Sequence, residues 1–167
     1  MSKKNFKVGK YILREFSTLP DYLFLFVYKM RNHPEVGKYS FSKRIDLNDH
    51  FRFREILKKS PNKFYWLVYK DYKVVGVISL SIEGNNVRLG LYKNPYNPNA
   101  KGKELMKLIM KILPKFRKWY ASVEVHKENG KAVNLYKSFG FNIKKSKFLN
   151  GKFLIGEKLI NQLSFPF

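Results

Sequence analysis

The first third of the chain joins apolar runs through polar breaks that predict a strand followed by two helices. Three elements are predicted there: a strand at 11–16, a helix at 21–30 and a helix that ends at residue 57. Pro34 follows the first helix and discourages its continuation, because the residue before a proline avoids helical geometry. Asn48 or Asp49 is expected to cap the second helix.

From residue 64 the apolar pattern changes to that of strands. β-rich runs predict strands at 64–69, 74–82 and 87–92, separated by polar turns. Three strands joined by such short turns predict an antiparallel meander. Residues 102–113 then return to helical spacing, with apolar side chains at Leu105, Leu108, Ile109, Ile112 and Leu113.

The remaining pattern predicts a strand at 123–126, a helix at 130–139 and two further strands at 141–148 and 153–160. Asn150 and Gly151 between the last two are typical of a type I′ hairpin turn. The order β-α-α-β-β-β-α-β-α-β-β predicts an α+β fold with a mixed sheet. We expect one domain over residues 1–167.

The charge of the chain is strongly unbalanced, with 34 Lys and Arg against 12 Asp and Glu, a net charge of +22. Three interpretations are open: a solvated lysine-rich surface, a site for phosphorylated small molecules, and a nucleic-acid or anionic-membrane partner. The basic residues are spread along the chain rather than gathered in one tail. This distribution favours the first two interpretations over a nucleic-acid partner.

The chain has no cysteine, which excludes disulfides, thiolate metal sites and a thiol nucleophile. Its apolar runs are too short to span a membrane, and the basic residues 1–4 lead into no apolar signal core. We therefore expect a cytoplasmic protein, and we predict no metal site.

A loop and a helix start after the meander are candidates for phosphate binding. The segment 97–105 reads NPNAKGKEL, so small residues lead into the predicted helix at 102. The first amides of a helix lack partners and attract anions. Ala100 and Gly102 would let the backbone approach a diphosphate, while Lys101 and Lys103 add charge. Alone, such a loop is more often only a turn.

The second candidate segment is VEVHKENGKAVNLYKSFGF, which ends at residue 141. Glu124 and His126 share one face of the predicted strand. Asn129, Ala132 and Tyr136 share one face of the helix that follows. A small side chain flanked by an amide and a phenol leaves room for a slender ligand, although an ordinary amphipathic helix explains each residue singly.

Together the two segments resemble the GCN5-related N-acetyltransferase superfamily. In that superfamily an Asn-x-x-Ala-x-x-x-Tyr-x-x-x-Gly-Phe segment flanks the pantetheine arm of acetyl-CoA, and here it is complete, from Asn129 to Phe141. The pyrophosphate loop departs from the family pattern at Asn97 and Ala100 and keeps Gly102. The resemblance implies acetyl-CoA as cosubstrate and a mixed, largely antiparallel twisted sheet flanked by helices, with a splay between the central strands. It also implies that a backbone amide among Leu91, Tyr92 and Lys93 holds the acetyl oxygen.

The N-terminal half looks like the nucleotide-sugar N-acetyltransferases of pseudaminic acid biosynthesis, which serves flagellin glycosylation. This likeness implies transfer to the 4-amino group of UDP-4-amino-4,6-dideoxy-N-acetyl-β-L-altrosamine. Arg31 is the leading candidate for the UDP phosphates, because a guanidinium meets phosphate with several donors. The other substrate-binding candidates are His33, Tyr39, Phe51, Tyr92 and His126.

For direct transfer, the resemblance implies that Tyr136 hydrogen-bonds the departing sulfur. Glu124 is the leading candidate for the base, directly or through water, with His126 behind it. Ser79 is a candidate to orient the amine or relay its proton. Two other functions stay open: acetylation of protein N-termini or ribosomal proteins, and a non-catalytic basic nucleic-acid-binding module. The apolar stretch 159–165 is a candidate dimer edge.

Overall fold

The computed structural model describes residues 5–160. The basic start at 1–4 and most of the candidate dimer edge therefore lie outside the described residues. The elements follow along the chain as β1 (Phe6–Val8), β2 (Tyr11–Glu15), α1 (Asp21–Arg31), α2 (Pro34–Gly37), α3 (Leu47–Lys59), β3 (Lys63–Lys70), β4 (Lys73–Glu83), β5 (Asn86–Lys93), α4 (Gly102–Ile112), β6 (Tyr120–His126), α5 (Gly130–Ser138), β7 (Asn142–Lys145) and β8 (Phe153–Leu159).

The described strands form one sheet in the order β1-β2-β3-β4-β5-β6-β8-β7. All neighbours pair antiparallel except β5 and β6, which are parallel. The predicted meander of β3, β4 and β5 is confirmed, and so is the predicted α+β fold with a mixed, largely antiparallel sheet.

Each face of the sheet carries its own hydrophobic core, because successive strand residues point to opposite faces. Val77 joins a core with α1 and α3, whereas the next residue, Ile78, joins the core under α4. We call these the α1 face and the α4 face. On β6, Val123 and Val125 are buried on the α4 face, which leaves Glu124 and His126 on the α1 face.

Four local predictions are corrected by the structure. The cap of α3 is Asp46, whose carboxylate accepts hydrogen bonds from the amides of Asn48 and Asp49 at 2.8 and 3.3 Å. The first helix ends at Arg31, before Pro34, as predicted, but a short helix that was not predicted, α2, begins at Pro34. The strand β1, also not predicted, precedes the strand that was predicted first. The last predicted turn also lengthens into a loop, since β7 ends at 145 and β8 begins at 153.

Candidate functional site

The candidate site lies where β5 and β6 separate. The two strands pair only from Asn86 to Arg88 on β5 and from Tyr120 to Ser122 on β6. Beyond Arg88, β5 continues to Lys93 without a partner on that side among residues 5–160. The predicted splay is therefore present, and Leu91, Tyr92 and Lys93 run along the opening.

The helix α5 begins beside this opening, at the end of β6. Asn129 caps the helix, because its side-chain oxygen accepts a hydrogen bond from the Ala132 amide at 3.2 Å. The end of α5 is a Schellman motif: the amides of Phe141 and Gly140 donate to the carbonyls of Tyr136 and Lys137 at 3.1 and 3.0 Å. Gly140 has the positive φ that this motif requires, +86°.

Tyr136 is held by this helix end. Its ring meets Phe141 edge-on with 5.9 Å between centroids, the apolar contact that accompanies a Schellman motif. The residue is buried, and its hydroxyl donates to no group among residues 5–160. Burial raises the pKa of Tyr136 to about 12, so the phenol keeps its proton at neutral pH.

The loop before α4 is ordered by its own side chains. Asn97 donates from its amide nitrogen to the carbonyl of Val74 at 3.1 Å, and its oxygen accepts from the Asn99 amide at 3.0 Å. The side chain of Asn97 is thus occupied by protein contacts, one with β4 and one within the loop. Ala100 is buried, and its amide donates to the Asn97 carbonyl at 3.1 Å.

The start of α4 leaves backbone amides available for an anion. Lys101 is the cap residue and makes no side-chain capping hydrogen bond. The amides of Gly102 and Lys103 therefore lack the partner that a capping side chain would supply. A β-carbon at position 102 would lie 3.3 Å from the Leu135 side chain, so Gly102 also lets α4 pack closely on α5.

A basic groove of about 600 Å³ extends from this helix start along α4. Its lysines are Lys10, Lys70, Lys101, Lys103, Lys107 and Lys111. The acidic residue in the lining, Glu104, accepts hydrogen bonds from Tyr11 at 2.6 Å and Lys70 at 2.7 Å. Lys10, Lys70, Lys107 and Lys111 were not predicted from the sequence. The spacing of Lys103, Lys107 and Lys111 nevertheless places these three on one face of the helix.

Glu124 and His126 are both partly buried on the α1 face. The Glu124 carboxylate accepts from Arg88 at 3.3 Å, and Arg88 also pairs with Glu83 at 2.9 Å. His126 accepts from the Glu128 amide through Nδ1 at 3.2 Å, so a neutral ring carries its proton on Nε2. Neither nitrogen of that neutral ring is then free to accept a proton from a substrate.

A pocket of about 320 Å³ opens on the α1 face between α1, α3 and the sheet. Its lining comprises Phe16, Val27, Arg31, Ile45, Asp49, His50, Phe53, Tyr65, Val77 and Tyr92. Arg31 donates from Nη2 to the Ser42 carbonyl at 2.9 Å, whereas Nη1 is buried without a hydrogen-bond partner among the described residues. Burial lowers the pKa of Arg31 and raises the pKa of Tyr92. The electrostatic interaction between the two residues acts against both shifts: it raises the pKa of Arg31 and lowers that of Tyr92.

His50 lies in this pocket in a structural role. Its Nε2 donates to the Phe24 carbonyl at 2.7 Å, and its ring stacks on Phe24 with 3.9 Å between centroids. Burial lowers the pKa of His50, which therefore stays neutral at pH 7.

Four residues predicted to bind substrate lie outside the lining of this pocket: His33, Phe51, Tyr39 and His126. His33 caps α2, accepting from the Glu35 amide at 3.2 Å. Phe51 packs against Phe24 with 5.6 Å between ring centroids. Tyr39 contacts His126, with 5.5 Å between ring centroids, nearer the end of β6. Tyr65 was not among the predicted residues, although it follows the two-residue period of β3.

Ser79 lies on β4 on the α1 face, opposite Tyr65 on β3 and Gly90 on β5. It therefore sits between the pocket and the Arg88–Glu124 ion pair. Within residues 5–160, no cluster of His, Asp and Glu side chains has the makings of a metal site. No helix among those residues is long and apolar enough to cross a membrane.

Comparison with known proteins relates this geometry to acyl transfer. The model of the acetyltransferase (GNAT) family matches residues 25–141. Two proteins from strains of Campylobacter jejuni, each named acetyltransferase PseH, are 32% and 33% identical to the chain over 133 residues. Each of these matches covers 78% of this chain and 84% of the relative.

Solved structures agree with these matches. The crystal structure of Campylobacter jejuni N-acetyltransferase PseH in complex with acetyl coenzyme A aligns with a TM-score of 0.73 and 25% identity, covering 90% of this chain and 99% of that one. A spermidine N-acetyltransferase from Vibrio cholerae, solved with CoA and spermine, also has a TM-score of 0.73. At 17% identity, that second likeness shows the fold alone.

Proposed function

The chain belongs to the acetyltransferase (GNAT) family, and from this premise we propose that it acetylates the 4-amino group of a UDP-linked amino sugar. The acceptor is UDP-4-amino-4,6-dideoxy-N-acetyl-β-L-altrosamine, an intermediate of pseudaminic acid biosynthesis, and the donor is acetyl-CoA. Identity of about one third to the PseH acetyltransferases, over most of both chains, supports this assignment.

The observation that carries the acceptor assignment is Nη1 of Arg31, which is buried and has no hydrogen-bond partner within residues 5–160. A buried donor without a partner costs free energy, so its retention is best explained by a ligand that satisfies it. A guanidinium suits the oxygens of a diphosphate, which accept several of its donors at once. The aromatic walls around it, Tyr65, Tyr92 and Phe53, suit a sugar or a uracil ring.

The residues around the β5–β6 opening fit acetyl-CoA. The uncapped amides at the start of α4, with Lys101 and Lys103 beside them, suit the pyrophosphate. The small side chain of Ala132 leaves space for the pantetheine arm beside Asn129. Tyr136 presents a protonated hydroxyl, which has no partner in the described part of the chain, to the region of the thioester sulfur.

The transfer proceeds in one displacement. The neutral amine attacks the thioester carbon, the carbon–nitrogen bond forms, and the carbon–sulfur bond breaks to give CoA thiolate. A backbone amide within Leu91–Lys93 holds the acetyl oxygen as negative charge develops on it. Tyr136 donates a hydrogen bond to the thiolate. A phenol with a raised pKa is a weak acid, so it stabilises the thiolate mainly through this hydrogen bond.

The amine proton leaves through the groups on the α1 face. Glu124 receives it through water, since Arg88 already occupies one side of the carboxylate. Ser79 orients the amine. His126 serves as a wall of the site, because its Nδ1 lone pair is used by the Glu128 amide. We place the reaction in the cytoplasm, since both substrates are multiply charged and do not cross a bilayer unaided.

The test is thiol release from acetyl-CoA against 4-amino UDP-sugars, spermidine and N-terminal peptides, with products identified by mass. We expect acetylation of the UDP-amino sugar and a large loss of turnover in Tyr136→Phe. Turnover with peptides alone would show that the acceptor is a protein N-terminus and would overturn the sugar assignment. Binding of acetyl-CoA without turnover of any amine, together with binding of DNA or RNA independent of Tyr136, would overturn the enzymatic assignment as well.

A further inference from the structure

The row formed by Tyr65, Ser79 and Gly90 crosses three strands on the α1 face. The three residues are in register, Tyr65 opposite Ser79 and Ser79 opposite Gly90. The next row on the same face is Leu67, Val77 and Tyr92, two of which line the pocket. The Ser79 row thus borders the pocket on one side and reaches the β5–β6 opening on the other.

The backbone conformation at position 90 does not require glycine. Its φ lies outside the left-handed region that favours glycine. In a strand interior, glycine costs roughly 0.5–1 kcal/mol relative to alanine. A β-carbon at position 90 would lie 2.8 Å from the Ser79 hydroxyl oxygen, and no other atom outside the adjoining residues lies within 4 Å of it. The missing side chain therefore leaves space for one neighbour, the hydroxyl of Ser79.

Tyr65 meets the same hydroxyl from the other strand. The Tyr65 phenol is close enough to Ser79 for the two to interact, and the ring is fixed by Phe16 and Phe53, with centroids 5.6 and 4.9 Å away. Burial raises the pKa of Tyr65 more than the interaction with Ser79 lowers it, so the phenol is neutral. A serine hydroxyl that donates to the phenol oxygen keeps its own lone pairs for another donor.

We propose that Tyr65 and Gly90 are positioning residues that act through Ser79 to orient the acceptor amine. Gly90 provides the space in which the Ser79 hydroxyl lies, and Tyr65 fixes the direction of its hydrogen. Ser79 then accepts a hydrogen bond from the amine N–H, which turns the amine lone pair toward the thioester carbon. This inference rests on the proposed N-acetyltransferase function and extends it to the two strands beside Ser79.

A double-mutant cycle tests the inference. Turnover is measured for Tyr65→Phe, Gly90→Ala and Ser79→Ala, and for each of the first two combined with Ser79→Ala. We expect kcat to fall about 10-fold in Tyr65→Phe, the effect of one lost hydrogen bond. In Gly90→Ala a fall of about 100-fold is expected, because a displaced catalytic geometry costs about that much. The KM for acetyl-CoA should stay near the wild-type value in both.

In the Ser79→Ala background, neither substitution should reduce kcat further, since the hydroxyl through which both act is gone. Effects that multiply in that background would overturn the inference and leave the proposed function intact. Full activity of Ser79→Ala combined with slow Tyr65→Phe and Gly90→Ala would do the same. Tyr69→Phe is the matched control, because Tyr69 lies on the same strand and face; its kcat should not change.

Two measurements separate this inference from its premises. The cycle is run on whichever amine the wild-type protein acetylates, so a wrong sugar assignment changes the acceptor and leaves the cycle valid. Thermal unfolding of both single variants should lie within a few degrees of wild type. A crystal structure of Gly90→Ala should have the Ser79 hydroxyl turned away from Tyr65; an undisturbed hydrogen bond there would contradict the role of Gly90. If Gly90→Ala does not fold, Tyr65→Phe carries the test.

Discussion

Tyr136 has a proton that matters to the proposed reaction, and its burial decides the pH at which that proton is lost. The phenol stabilises the thiolate only while protonated, so its contribution disappears as pH rises through its pKa. Burial raises that pKa to about 12. We therefore expect kcat to show no decline caused by Tyr136 up to pH ~10, where an ordinary tyrosine would be half ionised.

The measurement is kcat against pH for wild type and Tyr136→Phe. The substitution should lower kcat about 10- to 100-fold at every pH, the value of a hydrogen bond to a charged group. The KM for acetyl-CoA should change little, because the sulfur carries charge only in the transition state. A decline in wild type near pH ~10 that is absent from the variant would contradict the raised pKa.

Arg31 is expected to act on the acceptor and not on acetyl-CoA. Arg31→Gln removes the buried Nη1 donor and should raise the KM for the UDP-sugar about 10- to 100-fold, with the KM for acetyl-CoA unchanged. Arg31→Lys keeps the charge but loses the second donor, so its KM should lie between those of wild type and Arg31→Gln. Steady-state kinetics with each substrate varied separately measures both effects. Equal changes in the two KM values would argue against a site for the UDP-sugar.

Single residues of the site differ in how far they can be predicted from the sequence. Arg31 was named in advance because a guanidinium has one preferred class of ligand, and Tyr136 because its spacing from Asn129 follows a helix face. Tyr65 was missed because its contact with Ser79 depends on how two strands align. That register is set by the turn between the strands and by an irregularity at Val68 and Tyr69.

At the scale of elements, α4 is tied to the edge of the meander by Glu104. Its carboxylate accepts hydrogen bonds from Tyr11 on β2 and Lys70 on β3. Burial alone would raise the pKa of Glu104, but the hydrogen bonds from Lys70 and Tyr11 outweigh it and lower the pKa. A carboxylate with a lowered folded-state pKa stabilises the fold above its unfolded pKa, and this stability is lost as pH falls through the folded value.

Glu104→Gln should therefore lower the melting temperature at pH 7 by about 2–4 °C, the equivalent of roughly 1 kcal/mol for a chain of this size. The difference from wild type should shrink as pH falls below ~4. Calorimetry across pH 3–7 measures it. Glu55→Gln is the matched control, because Glu55 pairs with Lys58 on an exposed helix surface and its loss should change the melting temperature much less. Equal effects of the two substitutions would contradict the role of Glu104.

Long, periodic elements were predictable, and short ones were not. The helix at α4 was found because five apolar residues share one face, and the meander because its strands are long and its turns polar. The cap of α3 was misplaced because Leu47 is exposed at the first helical position and hides the true start. Residues 6–8 form an edge strand too short to carry a pattern.

At the scale of the whole molecule, the order of strands in the sheet could not be predicted from the periodicity of the sequence, since β8 lies between β6 and β7. The splay was expected only from the family resemblance. The physical cause of the splay is strand pairing: β5 pairs with β4 along the full length of β5, and β6 pairs with β8 along the full length of β6. By contrast, β5 and β6 pair with each other over three residues only. The proposed acyl donor site is thus a consequence of strand pairing and not of any single motif.

The net charge of +22 contributes to function at this scale only if part of it is concentrated at a binding site. Six lysines line the groove along α4 beside the proposed pyrophosphate site, and the carboxylate in its lining, Glu104, is already paired with Lys70. Acetyl-CoA is a polyanion, so we expect its KM to rise roughly two- to fivefold when ionic strength increases from about 0.05 to 0.3 M, as screening shortens the reach of these charges.

The groove can be distinguished from the charge of the whole molecule by two double variants of equal charge. Lys107→Gln with Lys111→Gln removes two charges from the groove, and Lys144→Gln with Lys145→Gln removes two exposed charges from β7. Only the groove variant should raise the KM for acetyl-CoA and weaken its dependence on salt, because charges on β7 lie outside the groove lining. If both pairs shift the KM equally, attraction of acetyl-CoA is a property of net charge. If neither does, the lysine surface serves solvation, and the amides at the start of α4 hold the pyrophosphate without its help.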